Sequence, residues 1–126
     1  MKTLEIVTAA CVLTACQACE PSQKAHRISA ERAKKTLEEN PHAVLLDVRT
    51  EAEFKAKRIP GAISLPDDEL DESAQGLLPD KEALILIYCR SGMRSAKAAR
   101  ELTAMGYTNV YEFGGIRNWP YATEGD

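Results

Sequence analysis

Positive charge is not in excess in this chain: 16 Lys and Arg against 19 Asp and Glu leave a formal net charge of −3. A general electrostatic attraction to nucleic acid is thereby excluded. No apolar run reaches the roughly 20 residues that a bilayer-spanning helix needs. Cysteine is scarce where a stapled fold would use it: Cys11, Cys16 and Cys19 crowd the N-terminus, and the rest of the chain keeps Cys89 alone. A disulfide framework is therefore not expected. The Cys16/Cys19 pair has C-x-x-C spacing, but no second pair accompanies it, and His26 and His42 stand too far apart for a zinc finger. It also precedes the turn-prone "EPSQKAHR" instead of joining a strand to a helix, which argues against a redox motif. Repeats and low-complexity segments are absent, no metal site is predicted, and 126 residues suffice for one hydrophobic core but not two.

What is present begins with "MKTLEIVTAACVLTACQACE". Lys2, the short apolar stretch Ile6 to Ala15 and small residues before a cysteine read as a secretory signal. "LTAC" resembles a bacterial lipobox, which implies cleavage after residue 15 and lipid on Cys16. Residues 16–27 are then a linker and residues 28–126 the domain. On this reading the domain is extracytoplasmic and lipid-anchored to the cell membrane; the alternative is a cytoplasmic protein with an N-terminal extension. A monomer is the default for so small a domain.

Along the domain, "ISAERAKKTLEEN" predicts a surface helix with Ser29 as its N-cap and Ala33 and Leu37 on one face. "AVLLDV" and "ALILIYC" are short, nearly continuous apolar runs, as expected for strands buried on both faces of a parallel sheet. Between them lie a short helix near "EAEFKAK", a turn at Pro60 and Gly61, a strand "AISL" and an acidic stretch. "SAKAARELTAM" places Ala98, Leu102 and Met105 on one helical face before Gly106, and "NVYEF" reads as a last strand. The lone Trp119 is assigned to packing. Strands alternating with helices predict an open α/β domain with a mainly parallel sheet and helices on both faces. Such sheets place ligands beyond the carboxyl ends of their strands, and Cys89 ends the most apolar strand.

In "CRSGMRS" the loop between that strand and the next helix has Gly92 to let the chain curl, so that backbone N–H groups point inward as an anion nest. A thiolate there is stabilised by N–H donors, the helix dipole and nearby guanidinium charge. Arg90 and Arg94 have two uses between them, drawing an anion to the entrance and pairing back to a carboxylate; the sequence leaves open which does which. A cysteine ending an apolar strand can also be simple core, but that leaves Gly92 and the two arginines without a purpose.

These pieces resemble the single-domain rhodaneses, sulfurtransferases of α/β fold. The resemblance runs from about Ile28 to Pro120 and is carried by "LLDVRTEAEF" with "RIPGAISLP", by "LILIYCRSGMRSAKAARELTAMGY" and by "VYEFGGIRNWP". It implies that Cys89 takes a sulfane sulfur from a small sulfur-containing anion such as thiosulfate, holds it as a persulfide and passes it to a thiol or cyanide. Arg90, Ser91, Gly92, Met93, Arg94 and Ser95 would form the cradle, with no metal or organic cofactor. Asp47, Arg49 and Glu53 are the candidate ionic supports of the loop, with Arg94 paired to one carboxylate. The family often has Gly-His before Ile-Pro-Gly-Ala, where this chain has Lys57 and Arg58, so altered substrate steering is expected.

Two rival readings remain. Cysteine phosphatases and arsenate reductases also hold a thiolate in an N–H nest, but phosphatases typically use C-x5-R, one residue longer than the C-x4-R from Cys89 to Arg94. A non-catalytic binding module of the same fold would commonly have lost the cysteine or the glycine-bearing loop.

Overall fold

The computed structural model describes residues 25–126. The signal-peptide and lipidation readings of residues 1–15 and Cys16 fall outside them. Five parallel strands make one sheet: β1 (His26–Arg27), β2 (Val44–Asp47), β3 (Ile63–Ser64), β4 (Ile85–Cys89) and β5 (Val110–Gly115), in the order β1-β5-β4-β2-β3. The helices are α1 (Ala30–Glu39), α2 (Glu51–Ala56), α3 (Leu70–Leu77) and α4 (Met93–Ala104). Short 3-10 turns precede α3, at Asp67–Glu69, and follow β5, at Ile116–Asn118. Among the described residues no helix is long and apolar enough to cross a membrane.

β4 lies at the centre and is buried along its whole length, and its alternation sorts the core into two layers. Ile85, Ile87 and Cys89 face α3 and α4, packing with Leu46, Leu70, Ala98 and Leu102. Leu86 and Tyr88 face the other way, with Leu45, Ala33 of α1, Phe113 and Trp119. The expected open parallel sheet with helices on both faces is what forms. Ser29 caps α1 by accepting the Arg32 N–H at 3.0 Å. Trp119 packs tilted against Phe113 and edge-on to Tyr121 at centroid distances of 5.5 and 4.9 Å, a packing role.

Two local expectations differ. His26–Arg27, assigned to the linker, is the edge strand, in register with Tyr111 and Glu112 of β5. Two polar residues carry no periodicity, so this strand exists only through its neighbour. The strand expected over "AISL" shrinks to Ile63–Ser64 because only those residues pair with β2.

Candidate active site

Cys89 ends β4 at the carboxyl edge of the sheet, 1% exposed. Its sulfur accepts the Gly92 N–H at 2.9 Å and lies 3.6 Å from the Ser95 hydroxyl oxygen. Gly92 makes this possible with φ 116°, a left-handed conformation that costs an L side chain energy, and it starts α4 directly beneath the loop. Burial works against ionisation of the thiol, but the Ser95 side chain and the N–H groups of Ser95, Gly92 and Ser91 outweigh it and hold the thiol below its ordinary pKa.

Of the six loop residues named from sequence, the structure brings Ser91, Gly92 and Ser95 to the sulfur. The Arg90 and Met93 side chains are exposed, Met93 at 81%. Arg94 grips Glu53 through both terminal nitrogens, at 2.9 and 3.3 Å. Glu53 is itself fixed, because Thr50 and Glu53 form a reciprocal cap at the start of α2. Asp47 and Arg49 make a separate buried pair at 2.6 Å, and their side-chain hydrogen bonds go to each other and to the Lys57 carbonyl rather than to the cysteine loop. Arg49 also donates to the Lys57 carbonyl at 2.5 Å, tying the strand end to the segment after α2.

The Arg94 guanidinium, aided by the Thr50 N–H and hydroxyl, holds the Glu53 carboxyl at a pKa of about 2, against partial burial. A depressed carboxyl stabilises the fold above its ordinary value, near 4.5, and that contribution is lost as pH falls toward 2. The urea midpoint of the native protein is therefore expected to drop more steeply between those limits than that of Glu53→Gln. Parallel curves would show that the pair does not support the loop.

Two residues under the loop were not read from the sequence. Glu112, in the middle of a strand facing α4, is 4% exposed and accepts the Ser95 hydroxyl at 3.1 Å, the Gly114 N–H at 3.2 Å and Arg27 Nε at 2.5 Å. Gly115 lies against the Arg90 backbone so closely that a Cβ there would overlap the Arg90 carbonyl. The cause is a bulge: Ile87 faces Glu112 but Cys89 faces Gly115, so β5 carries one extra residue, taken up at Gly114 with φ 88°. The "GG" pair was the available signal, since adjacent glycines at a strand end mark a bulge or a close approach.

Residues 29–121 match the rhodanese-like domain family. The chain belongs to that family. Among its relatives, the thiosulfate sulfurtransferase PspE of Escherichia coli is 34% identical over 73 residues, 58% of this chain and 70% of PspE. The thiosulfate sulfurtransferase GlpE of Tolumonas auensis is 35% identical over 94 residues, 74% of this chain and 86% of GlpE. A tRNA uridine(34) hydroxylase of Photorhabdus laumondii is 31% identical over 102 residues, which are 77% of this chain but only 29% of that larger protein. Among solved structures, an E. coli rhodanese with anions superposes with a TM-score of 0.60 at 28% identity, over 67% of this chain and 99% of that one.

Against this rhodanese background the Lys57–Arg58 departure has a structural account. Arg58 donates to the Phe54 carbonyl at 3.2 Å and pairs with Glu124 and Asp126 at 3.4 and 3.0 Å. Its backbone bridges Glu124 in both directions, so the segment around Glu124 is clipped to the end of α2. Lys57 lines a surface cavity of about 450 Å³ together with Arg49, Glu53, Arg90, Arg117 and Trp119. Cations thus gather beside the cysteine loop although the chain carries net negative charge. Among the described residues no cluster of His, Cys, Asp or Glu could hold a metal ion.

Proposed function

We propose that the protein is a sulfurtransferase that carries sulfane sulfur on Cys89. The observation that carries this reading is the sulfur among the N–H groups of Ser91, Gly92 and Ser95, in a loop whose closing arginine is engaged by Glu53. The Cys89 thiolate attacks the outer sulfur of thiosulfate; the new S–S bond forms as the old one breaks, and sulfite leaves with the electron pair. A thiolate acceptor then attacks the outer sulfur of the persulfide, and Cys89 leaves as thiolate. N–H donors from Ser91, Gly92 and Ser95 suit the anion that opens and closes the cycle. A tetrahedral phosphoryl group would need a guanidinium free to bind its oxygens, and both terminal nitrogens of Arg94 are engaged by Glu53. That geometry argues against phosphatase chemistry. The thiosulfate sulfurtransferase relatives support the donor class.

Incubating the reduced protein with thiosulfate should add one sulfur to the Cys89 peptide in mass spectra, and cyanide or a thiol should remove it. If neither thiosulfate nor any other sulfane donor loads Cys89, the chain is better read as a binding module. Arg90, Lys57 and Arg117 serve as the electrostatic entrance for the anion. Arg117→Ala is expected to raise the KM for thiosulfate several-fold with little change in kcat, and the difference should shrink in high salt. An unchanged KM at low salt would remove the entrance role.

A further inference from the structure

A carboxylate in the helix-facing layer of a sheet is costly to bury unless it is fully partnered. Glu112 occupies such a position on β5, where the neighbouring inward residue is the apolar Val110. It is fully partnered: Arg27 donates from Nε and Nη2 at 2.5 and 3.2 Å, and the Gly114 N–H and Ser95 hydroxyl complete the set. Arg27 also leans over the cysteine loop, since a methyl group on Gly92 would come within 3.1 Å of its Nη2.

Ser95 has one hydroxyl hydrogen and three oxygen acceptors within reach, Glu112 Oε1 and the Gly92 carbonyl at 3.1 Å and the Gly114 carbonyl at 3.2 Å. The Cys89 sulfur, 3.6 Å away, donates to the hydroxyl oxygen as a thiol and becomes a fourth acceptor as a thiolate. A carboxylate is a stronger acceptor than a carbonyl, so its rival for that hydrogen is a thiolate. We propose that Glu112 is a positioning residue for Cys89, competing with the sulfur for the Ser95 hydroxyl hydrogen, with Arg27 setting the strength of the competition. The inference rests on the reading of Cys89 as a reactive thiolate.

The arrangement fits a two-stage reaction. When Cys89 is a free thiolate, the hydroxyl turns to sulfur, and Glu112 keeps the Gly114 N–H and Arg27, so it is not left unpartnered. When the persulfide forms, negative charge moves to the outer sulfur and the hydroxyl returns to Glu112. No proton is transferred; one hydrogen bond changes acceptor. Glu112 therefore makes the thiolate more basic and a stronger nucleophile, while Arg27 tempers that effect and keeps it a competent leaving group.

The charged groups around the sulfur are Arg27 from β1, Glu112 from β5, Arg90 of the loop itself, and the Arg94–Glu53 pair from α4 and α2. Only the first two are changed in the test. The full chain is titrated by ultraviolet thiolate absorbance, taken as the difference against Cys89→Ser, which needs neither a sulfur donor nor turnover. Loss of sulfur transfer and failure of this inference are thus read separately. Glu112→Gln is expected to move the inflection to lower pH and raise the ionised fraction well below it roughly three- to ten-fold. Arg27→Gln should move it to higher pH, and the double variant should return close to the parent. A purely structural role would leave the inflection in place, and both single variants titrating like the parent would overturn the proposal. Should Glu112→Gln fail to fold, Arg27→Gln is titrated with and without Ser95→Ala: a shift that needs the hydroxyl supports the competition, and one that persists without it is direct charge and overturns the proposal.

Discussion

Cys89→Ser is expected to fold and to take up no sulfur from thiosulfate, with turnover falling by on the order of 10³-fold or more, as when the nucleophile of a covalent mechanism is removed. Serine keeps an acceptor for the Gly92 N–H that reaches the sulfur at 2.9 Å, so no donor is orphaned. The cost in stability should be no more than about 1 kcal/mol. The contrast is chemical: the same cradle around an alcohol stays protonated at neutral pH and forms no persulfide. Steady-state assay and denaturant melts on one preparation separate the two effects. Residual sulfur transfer near the parental rate would mean that another thiol carries the sulfur, and Cys89 would revert to core packing.

Gly115→Ala is expected to be nearly as damaging to activity, for a purely steric reason. Gly115 has φ −134° and ψ 156°, ordinary extended backbone open to any residue. Its requirement for glycine comes from the Arg90 carbonyl and Ser91 nitrogen, which occupy the space of a Cβ. Both are backbone atoms of the cysteine loop, so relief requires the loop itself to move. Overpacking of this kind costs about 1–3 kcal/mol. A displacement near 1 Å of the cradle should cost turnover roughly 10²-fold, more than the stability loss accounts for. Gly76→Ala is the control: nothing lies within 4 Å of a Cβ there, and the residue is inside α3. That change should stabilise by about 0.5–1 kcal/mol through helix propensity and leave turnover alone. Parental activity in Gly115→Ala would show that the loop does not depend on its seat against β5.

The site was legible from sequence where its chemistry is local. Cys89, the glycine three residues later and the start of α4 belong to one short segment whose backbone geometry follows from residue type. The pairing of Arg94 to a carboxylate was also anticipated, but its assignment over Arg90 depended on where α2 lies, 41 residues away. The supports were only partly legible. Glu53 reaches the loop, whereas Asp47 and Arg49 close on each other and on the Lys57 carbonyl. Glu112 was missed because a single Glu in "NVYEF" looks like the solvent-facing member of an alternating strand.

By itself the sequence determined the two central strands, the first helix and the cysteine loop, because the apolar runs of β2 and β4, the Ser29 cap and the Gly92 turn are set by side-chain period and backbone sterics within a few residues. The tertiary structure alone decided what surrounds the sulfur. The strand order places β5 beside β4, so that residues 17 positions apart, Ser95 and Glu112, share one hydrogen atom. It also brings in a two-residue edge strand whose Arg27 is 85 positions from its partner. Local propensity carries no record of such pairings; they follow from which apolar faces the whole chain can bury together.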